Sequence, residues 1–403
     1  MTDGLHYSLN SNDVHELTVH LLSELPLEAR GDKVEVEDLL NVVVFAASMR
    51  ISVNQACQTL EESPSGATVL GELARQLHDV DKLENDLNER LARLLPKGLG
   101  RKGRRVAIDL VRIPYHGSVG AEHEGEVCRS KATSGTTHFF TYATAYVILH
   151  GRRYTLALTR VRKGDKMVRV LMTLMGRLQA LGVQVSLLLV DRGFYSVGVI
   201  DYLSERQQSF IMPAIKRGKK PDSPGGPTGT QALAQAKSSY WTDYTLSSPI
   251  EGKVSFELAV VCRNLNGKWE KHEREALLYA TWGVRARSLG WIKQTYRSRF
   301  GIESSYRQLN QAKIRTSTRN PVLRLLFVGV ALILRNVWVW LHAEVIALPR
   351  KGARVFRPAC LRFGQLLIWL VVSIVDHYRL LREFLVPRDW RQVRKEFGLI
   401  FNY

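Results

Sequence analysis

Apolar residues recur at helical spacing near the start of the chain. Residues 36–49 place apolar side chains three and four positions apart, which predicts an amphipathic helix. Ser52 can cap a second helix that runs through Leu60, and a Ser-Pro-Ser-Gly turn at 63–66 precedes a third helix over 68–77. Two helices joined by a short turn are typical of a helix-turn-helix that binds the major groove of DNA, and equally of a plain helical hairpin.

The pattern changes after residues 84–93, which continue as an amphipathic helix, and after a basic, glycine-rich segment at 97–105 that is expected to be a linker. The next predicted elements are, in order, a strand at 106–111, a hairpin of strands at 137–149 and 153–159, a helix at 166–181 and a strand at 185–190. The last strand is almost continuously apolar, as in a sheet that is covered on both faces. This order predicts an α/β fold with a mixed sheet in which the first and fourth strands are neighbours.

Two aspartates occupy positions where these strands favour apolar residues. Asp109 lies inside the run Val106-Ala-Ile-Asp-Leu-Val, and Asp191 directly follows Val185-Ser-Leu-Leu-Leu-Val. Asp is depleted in strands, and burial of its charge without a partner costs free energy. A Mg²⁺ ion would remove this cost, because it is commonly held by one or two carboxylates together with substrate phosphates. The alternatives are that Asp109 pairs with an arginine and that Asp191 caps the turn after its strand.

A third carboxylate, Glu303, follows Tyr296 and Arg299 by seven and four residues, spacings that place the three side chains on one helical face. A carboxylate beside a cation and a phenol suits a metal ion that holds a phosphate. The apolar residues of this segment fall on a different side and are Trp291, Ile302 and Leu309. The helix is therefore expected to bury that apolar side and to present the polar one, with an ordinary solvated helix as the alternative.

The interval between Asp191 and Glu303 is too long for a plain loop inside a compact domain, so it is expected to contain an insertion. Residues 242–279 favour strands, which places a β-rich insertion at about 210–285. The predicted division is a helical DNA-binding region at 1–100, an α/β domain with its insertion at 101–345, and a helical region at 346–403.

Two segments near the C-terminus resemble membrane-spanning helices in their apolar composition. The segment 322–346 is long enough, but it contains Arg324, Arg335 and Asn336, and charges are costly at bilayer depth. The segment 366–375 is too short to cross a bilayer. Both are therefore predicted to be buried in the protein core, and no membrane role is expected.

The overall charge indicates a polyanionic partner. The 403 residues contain 57 Lys and Arg against 38 Asp and Glu, giving a formal net charge of +19. Such a surplus suits the phosphate backbone of a nucleic acid. The four cysteines are isolated and follow neither disulfide nor zinc spacing, no P-loop is present, and no apolar signal sequence follows the N-terminus. These features favour a cytoplasmic, nucleoid-associated protein.

Three motifs together resemble the DDE transposases of prokaryotic insertion sequences, which have a ribonuclease-H-like catalytic core. The motifs are the Asp109 strand followed by Ile113-Pro-Tyr-His-Gly, the turn Asp191-Arg-Gly-Phe-Tyr-Ser, and a Tyr-x2-Arg-x3-Glu signature that ends at Glu303. The similarity spans residues 105 to about 320. Members of this family usually carry a Lys seven residues after the Glu, whereas this chain has Asn310 there.

The resemblance implies a ribonuclease-H-like mixed sheet flanked by helices, with a β-rich insertion that helps to hold the transposon end. It also implies that Asp109, Asp191 and Glu303 are catalytic residues that bind Mg²⁺, for which Mn²⁺ can substitute. Tyr296 and Arg299 would position backbone phosphates. The candidates for the DNA contact of the missing Lys are Arg307 and Lys313.

The implied reaction is cut-and-paste transposition: metal-dependent cleavage at the terminal inverted repeats in double-stranded DNA, followed by strand transfer into target DNA. A homodimer is expected in the synaptic complex. Two other classes fit the residues: a nuclease of the same fold that does not integrate DNA, and an inactive, transposase-derived DNA-binding protein. Joined donor and target strands would exclude the first, and metal-dependent cleavage would exclude the second.

Overall fold

The chain forms helices near both ends and a sheet in between. The computed structural model describes residues 8–29, 34–149, 152–264, 274–299, 309–347, 360–381, 389 and 391–395. Within them, the predicted α/β class is confirmed, because one mixed sheet is flanked by helices. The pair Asn266-Gly267, which predicts a hairpin turn within the strand-rich segment, lies outside the described residues.

Five helices precede the sheet in the described part of the chain. They are α1 (Ser11–Ser23), α2 (Val36–Met49), α3 (Val53–Thr59), α4 (Gly66–Gln76) and α5 (Val80–Arg93). Two of them begin at serines whose hydroxyls accept a backbone hydrogen bond: Ser52 from Gln55 and Ser65 from Thr68, each at 3.1 Å. The sequence therefore located α2 to α5 to within a few residues, because caps and helical periodicity agree with the final packing, whereas it did not give bounds for α1.

The described strands form one sheet, interrupted in sequence by helices. In chain order, the elements are β1 (Arg104–Tyr115), β2 (Cys128–Thr133), β3 (Thr136–Leu149), β4 (Arg152–Val161), α6 (Met167–Ala180), β5 (Val185–Val190), α7 (Val197–Glu205), β6 (Phe210–Pro213), α8 (Gly229–Leu233), β7 (Tyr240–Ser248), β8 (Gly252–Asn264) and β9 (Arg274–Trp282). The strand order is β2-β3-β1-β5-β6-β9-β8-β7, and β4 also pairs with β3.

The register of the central strands sets the position of the two aspartates. Strand β1 pairs in parallel with β5, and Ile108 lies opposite Val190. The backbone amide of Asp191 continues this pairing by donating to the carbonyl of Ile108 at 3.1 Å. Asp109 and Asp191 therefore come directly after paired residues of adjacent strands, Asp109 within β1 and Asp191 just past the end of β5. The predicted adjacency of the first strand and the strand before Asp191 is confirmed.

The strands of the expected insertion extend the same sheet. Strand β6 pairs in parallel with β5 and antiparallel with β9, and β9 is followed outward by β8 and β7. The β-rich segment is thus continuous with the central sheet through main-chain hydrogen bonds. Residues of β6 and β9 line a cavity together with Arg192, the residue that follows Asp191.

The helices whose bounds are described after the sheet are α9 (Leu289–Ser298), α10 (Pro321–Trp340) and α11 (Phe363–Tyr378). Helix α10 and its continuation to Ile346 are long and apolar enough to cross a membrane, but the apolar window is completely buried in the fold. The prediction of a buried helix at this position is confirmed. Helix α11 packs against α1 and α2, which attaches the C-terminal region to the N-terminal one.

Helices α5 and α10 both pack on strand β4, whose outer edge would otherwise have free backbone groups. The side-chain amide of Asn88 in α5 bonds both the amide and the carbonyl of Leu158, each at 2.8 Å. Asn336 in α10 does the same for Thr155, at 3.0 and 2.9 Å. These two asparagines satisfy the strand edge and fix both helices on it.

Candidate active site

The two aspartates are held in defined orientations by backbone amides. Asp109, which is 7% exposed, accepts a hydrogen bond from the amide of Leu110 through Oδ1 at 2.9 Å. Asp191 caps the short turn after β5, and its Oδ2 accepts from the amide of Gly193 at 3.2 Å. Each carboxylate thus keeps one oxygen on a main-chain donor, which restricts its rotation.

Gly193 is required by the closeness of its neighbours and not by its backbone angles. A Cβ at this position would lie 2.7 Å from Cδ1 of Leu110 and 3.3 Å from Oδ2 of Asp191. Any side chain would push against the residue that follows Asp109 and against Asp191 itself. The Asp-Arg-Gly turn therefore allows the two aspartate-bearing segments to approach each other.

Arg299 joins the two carboxylates. Its Nη2 lies 3.2 Å from Oδ1 of Asp109 and 2.9 Å from Oδ1 of Asp191, and its Nη1 lies 3.2 Å from the same Asp191 oxygen. Arg299 as a whole is 6% exposed. Burial alone would lower the pKa of Arg299, but the charge of Asp109, the contact with Tyr296 and the charge of Asp191 raise it, so the residue is a fixed cation.

Tyr296 helps to position Arg299 through a hydrogen bond. Its hydroxyl donates to the carbonyl of Val190 at 3.3 Å and accepts a hydrogen bond from Nη1 of Arg299. The ring is 3% exposed, and burial raises the pKa of Tyr296 above its ordinary value, an effect that the charge of Arg299 partly opposes. The phenol is therefore a neutral link between the end of β5 and the guanidinium.

Within α9, the expectation that the Trp291 side is the buried one was wrong. Leu309, on the same predicted apolar side, is buried, and Ile302 lies outside the described residues. Ile292, Thr295 and Tyr296 are the buried residues of α9, whereas Trp291 is only half-buried. The reason is tertiary packing: Tyr296 and Ile292 belong to a second apolar cluster with sheet residues such as Leu189. The polar face of the helix thus points into the protein, toward the aspartates.

Two of the predicted site residues, Glu303 and Arg307, lie outside the described residues. Among those that are described, no group of three His, Cys, Asp or Glu side chains is close enough to hold a metal ion. Asp109 and Asp191 nevertheless fit a hard divalent cation: both present a carboxylate oxygen to one point, which a guanidinium contacts. Asn310 and Lys313 line a neighbouring cavity.

Two basic cavities open next to this pair. The first, of about 780 Å³, lies between β1 and α10, and we call it the β1–α10 cavity; its cationic lining residues are Arg112, Lys131, Arg192, Lys313 and Arg324. The second, of about 1090 Å³, lies between β9 and α9, and its cationic lining residues are Arg192, Lys216, Lys293 and Arg297. Arg192, which directly follows Asp191, lines both. The sequence indicated a surplus of positive charge, but not that cationic side chains converge from both sides on one turn.

The comparison with known families agrees with this arrangement. Residues 102–337 match the family described as the transposase DDE domain, which is more than half of the 403-residue chain. The matched segment begins just before β1 and ends within α10, so it contains both aspartates, the strand-rich extension of the sheet and helix α9. No curated protein matches the chain. The coverage of this match and the ribonuclease-H-like sheet together show that the chain belongs to the DDE transposases.

Proposed function

We propose that this transposase cleaves DNA at the ends of a mobile element and joins the freed 3′ ends to target DNA, in a metal-dependent cut-and-paste reaction. The observation that carries the proposal is the convergence of Asp109 and Asp191 on one guanidinium, 3.2 and 2.9 Å from their oxygens. Two carboxylates that share a cation in a cleft flanked by basic cavities suit phosphoryl transfer.

Asp109, Asp191 and Glu303 are the residues that would hold Mg²⁺, or Mn²⁺ in its place. When bound, such an ion supplies Lewis-acid chemistry, by activating the attacking oxygen and stabilising the leaving oxygen of a phosphodiester. The chain itself contributes orientation. The amides of Leu110 and Gly193 hold one oxygen of each aspartate, so that the carboxylates are aligned before substrate arrives.

Arg299 and Tyr296 are proposed to act on DNA as a unit. The guanidinium lies at the point where a scissile phosphate would meet the carboxylates, and Tyr296 limits its movement through a hydrogen bond. Arg299 would exchange one carboxylate contact for a phosphate oxygen when DNA binds, because a guanidinium pairs equally well with both anions. Arg307 and Lys313 are proposed as further backbone contacts.

The remaining assignments concern the whole protein. Residues 1–100 are proposed to contact the terminal inverted repeats, and the strand-rich segment at about 210–285 to support the transposon end. Pairing of two ends would require a homodimer. The proposed location is the cytoplasm, in association with the nucleoid.

The proposal is tested with Asp191→Ala on duplex DNA that carries the element's own end. This variant should bind the end with the affinity of the wild type but lose cleavage in Mg²⁺, because binding depends on the cations and cleavage on the carboxylate. Asp201→Ala, which changes an exposed aspartate of α7, is the matched control and should cleave normally. Nicking of end-containing DNA by Asp191→Ala would refute the assignment. A wild-type protein that cleaves but never joins donor to target would be a nuclease only.

A further inference from the structure

The β1–α10 cavity contains positive charge for which the described residues supply no counter-ion. Five cationic side chains line it, and no aspartate or glutamate is among its described lining residues. None of the five forms an ion pair within the described part of the chain. Three other buried arginines, Arg90, Arg160 and Arg299, pair with carboxylates. The cavity differs from these three sites, and this difference requires an explanation.

Arg324 is the most buried of these cations. It lies in the first turn of α10, is 4% exposed, and donates from Nε to the carbonyl of Thr318 at 2.7 Å. Its guanidinium carbon is 4.3 Å from the centre of the Phe140 ring and 5.1 Å from that of Tyr115. Burial lowers the pKa of Arg324, an effect that nearby Tyr142 and Tyr115 only partly oppose. Aromatic rings hold the guanidinium in place, but they do not neutralise it.

Lys313 adds a second half-buried positive charge to the same cavity. Burial lowers the pKa of Lys313, and the positive charges of Arg324 and Arg50 lower it further. The two cations therefore oppose each other in the free protein. An anion between them would reverse this repulsion and would replace the water that both have lost.

We propose that Arg324 and Lys313 bind one phosphate of the DNA backbone in the β1–α10 cavity, close to the phosphodiester that is cut. The position follows from the lining: Leu110 and Arg192, the residues next to Asp109 and Asp191, also form walls of the cavity. Thr316 and Asn310 supply neutral polar groups, and the volume of about 780 Å³ admits a nucleotide. The identification of the anion as DNA rests on the proposed function. The anion site itself rests on a cluster of cations that form no ion pair within the described part of the chain.

The first test measures DNA binding by the full chain in EDTA, over a series of salt concentrations. Arg324→Gln and Lys313→Gln should each weaken binding of an end-containing duplex about tenfold and reduce the slope of log Kd against log[salt] by about one. Arg206→Gln is the control, because exposed Arg206 also stacks on a ring, 4.7 Å from the centre of Tyr202, but lies outside the cavity. Unchanged affinity and slope in both cavity variants would overturn the proposal.

The second test changes the DNA instead of the protein, so it does not depend on how well a variant folds. Single uncharged methylphosphonates are scanned across the cleaved bond and its neighbours. At one position, the substitution should weaken wild-type binding about tenfold but leave Arg324→Gln and Lys313→Gln unaffected, since the contact is already lost. If the methylphosphonate and the protein substitution weaken binding additively at every position, the assignment of the contact to the DNA backbone is refuted.

The remaining outcomes separate this proposal from the proposed function. We call a backbone position coupled when its methylphosphonate weakens binding by the wild type but not by the two cavity variants. If no position is coupled, and inorganic phosphate raises the Tm of the wild type but not of Arg324→Gln, the cavity is a site for a free anion. This result would overturn the DNA assignment. A coupled position in a wild-type protein that never cleaves in Mg²⁺ would support the phosphate site and reject the catalytic proposal. Normal cleavage without any coupled position would support the catalytic proposal and reject the phosphate site.

Discussion

Arg299 supplies a positive charge that two buried or half-buried carboxylates share. Asp109 and Asp191 come from adjacent strands, and their negative charges would repel each other without a cation between them. The guanidinium is itself held by Tyr296, so its position does not depend on the carboxylates alone. This arrangement makes the stability of the site depend on one side chain.

Arg299→Gln should therefore lower the free energy of unfolding by about 3 kcal/mol, because it removes the cation from a buried ion pair. Urea unfolding measures this change. The Tm of the variant should also rise more in Mg²⁺ than that of the wild type, since a divalent cation can replace the missing charge. The control is Arg285→Gln, which breaks an exposed pair with Asp243 and should change stability by less than about 0.5 kcal/mol. Equal stability of the two variants would contradict this account.

At the residue scale, the sequence predicted the aspartates and singled out Arg299, but it did not predict that Arg299 contacts both aspartates. Asp109 and Asp191 stand out because a carboxylate inside an apolar strand has few explanations. Arg324 was noted only as a charge within an apolar segment, and not as part of a cationic cavity. The burial of Arg299 and Arg324 depends on which parts of the chain cover each helix, and helical spacing contains no information about these partners. Whether Glu303 completes the site stays a prediction.

At the scale of elements, helices α5 and α10 pack unusually closely where Gly329 faces Leu87. A Cβ on Gly329 would lie 2.5 Å from both terminal methyl carbons of Leu87, which is fully buried and has no room to move. Gly329→Ala should therefore destabilise the protein by about 1 to 3 kcal/mol, although alanine favours helices. Gly176→Ala is the matched control in α6: a Cβ there meets nothing within 4 Å, so it should stabilise the protein by about 0.5 to 1 kcal/mol. Thermal unfolding of both variants measures the difference, and changes of the same sign would disprove the close contact.

Asn336 also connects two elements, because its side chain in α10 satisfies backbone groups at the edge of β4. It is fully buried, and its amide bonds both backbone groups of Thr155. Asn336→Leu should cost about 2 to 5 kcal/mol, because it leaves one buried donor and one buried acceptor without partners. Asn310→Leu, at an exposed position, should have little effect on urea unfolding. A stable Asn336→Leu protein would show that water reaches this edge.

The elements themselves were largely predictable, and the exceptions share a cause. Helix α2 has the predicted bounds because its apolar period and its burial coincide. Strand β2 was not predicted, since Cys128–Thr133 is mostly exposed and lacks an apolar alternation. The strands β7 to β9 were predicted as strands, but not as part of the central sheet. Main-chain pairing between β6 and β9 decides this, and side-chain patterns do not encode it.

At the scale of the molecule, the N-terminal helices and the catalytic sheet share one apolar core. Residues of that cluster extend from Val14 in α1 through the sheet to Tyr378 in α11. A buried ion network crosses the same boundary, where Arg160 of β4 lies 3.4 Å from Glu84 of α5 and 2.9 Å from Glu126. The division at about residue 100 stays a prediction, and these contacts indicate that the two parts stabilise each other.

A fragment of residues 101–403 should therefore not fold on its own. Removal of α1 to α5 would expose the side of α10 that packs on Leu87, and would leave the backbone groups of Leu158 without Asn88. We expect an aggregated fragment, or one without a cooperative unfolding transition by circular dichroism. Co-expression of residues 1–100 as a separate chain should restore solubility, because it supplies the missing surface. A soluble 101–403 fragment with a sharp transition would instead make the N-terminal region an independent domain that is free to reorient on DNA.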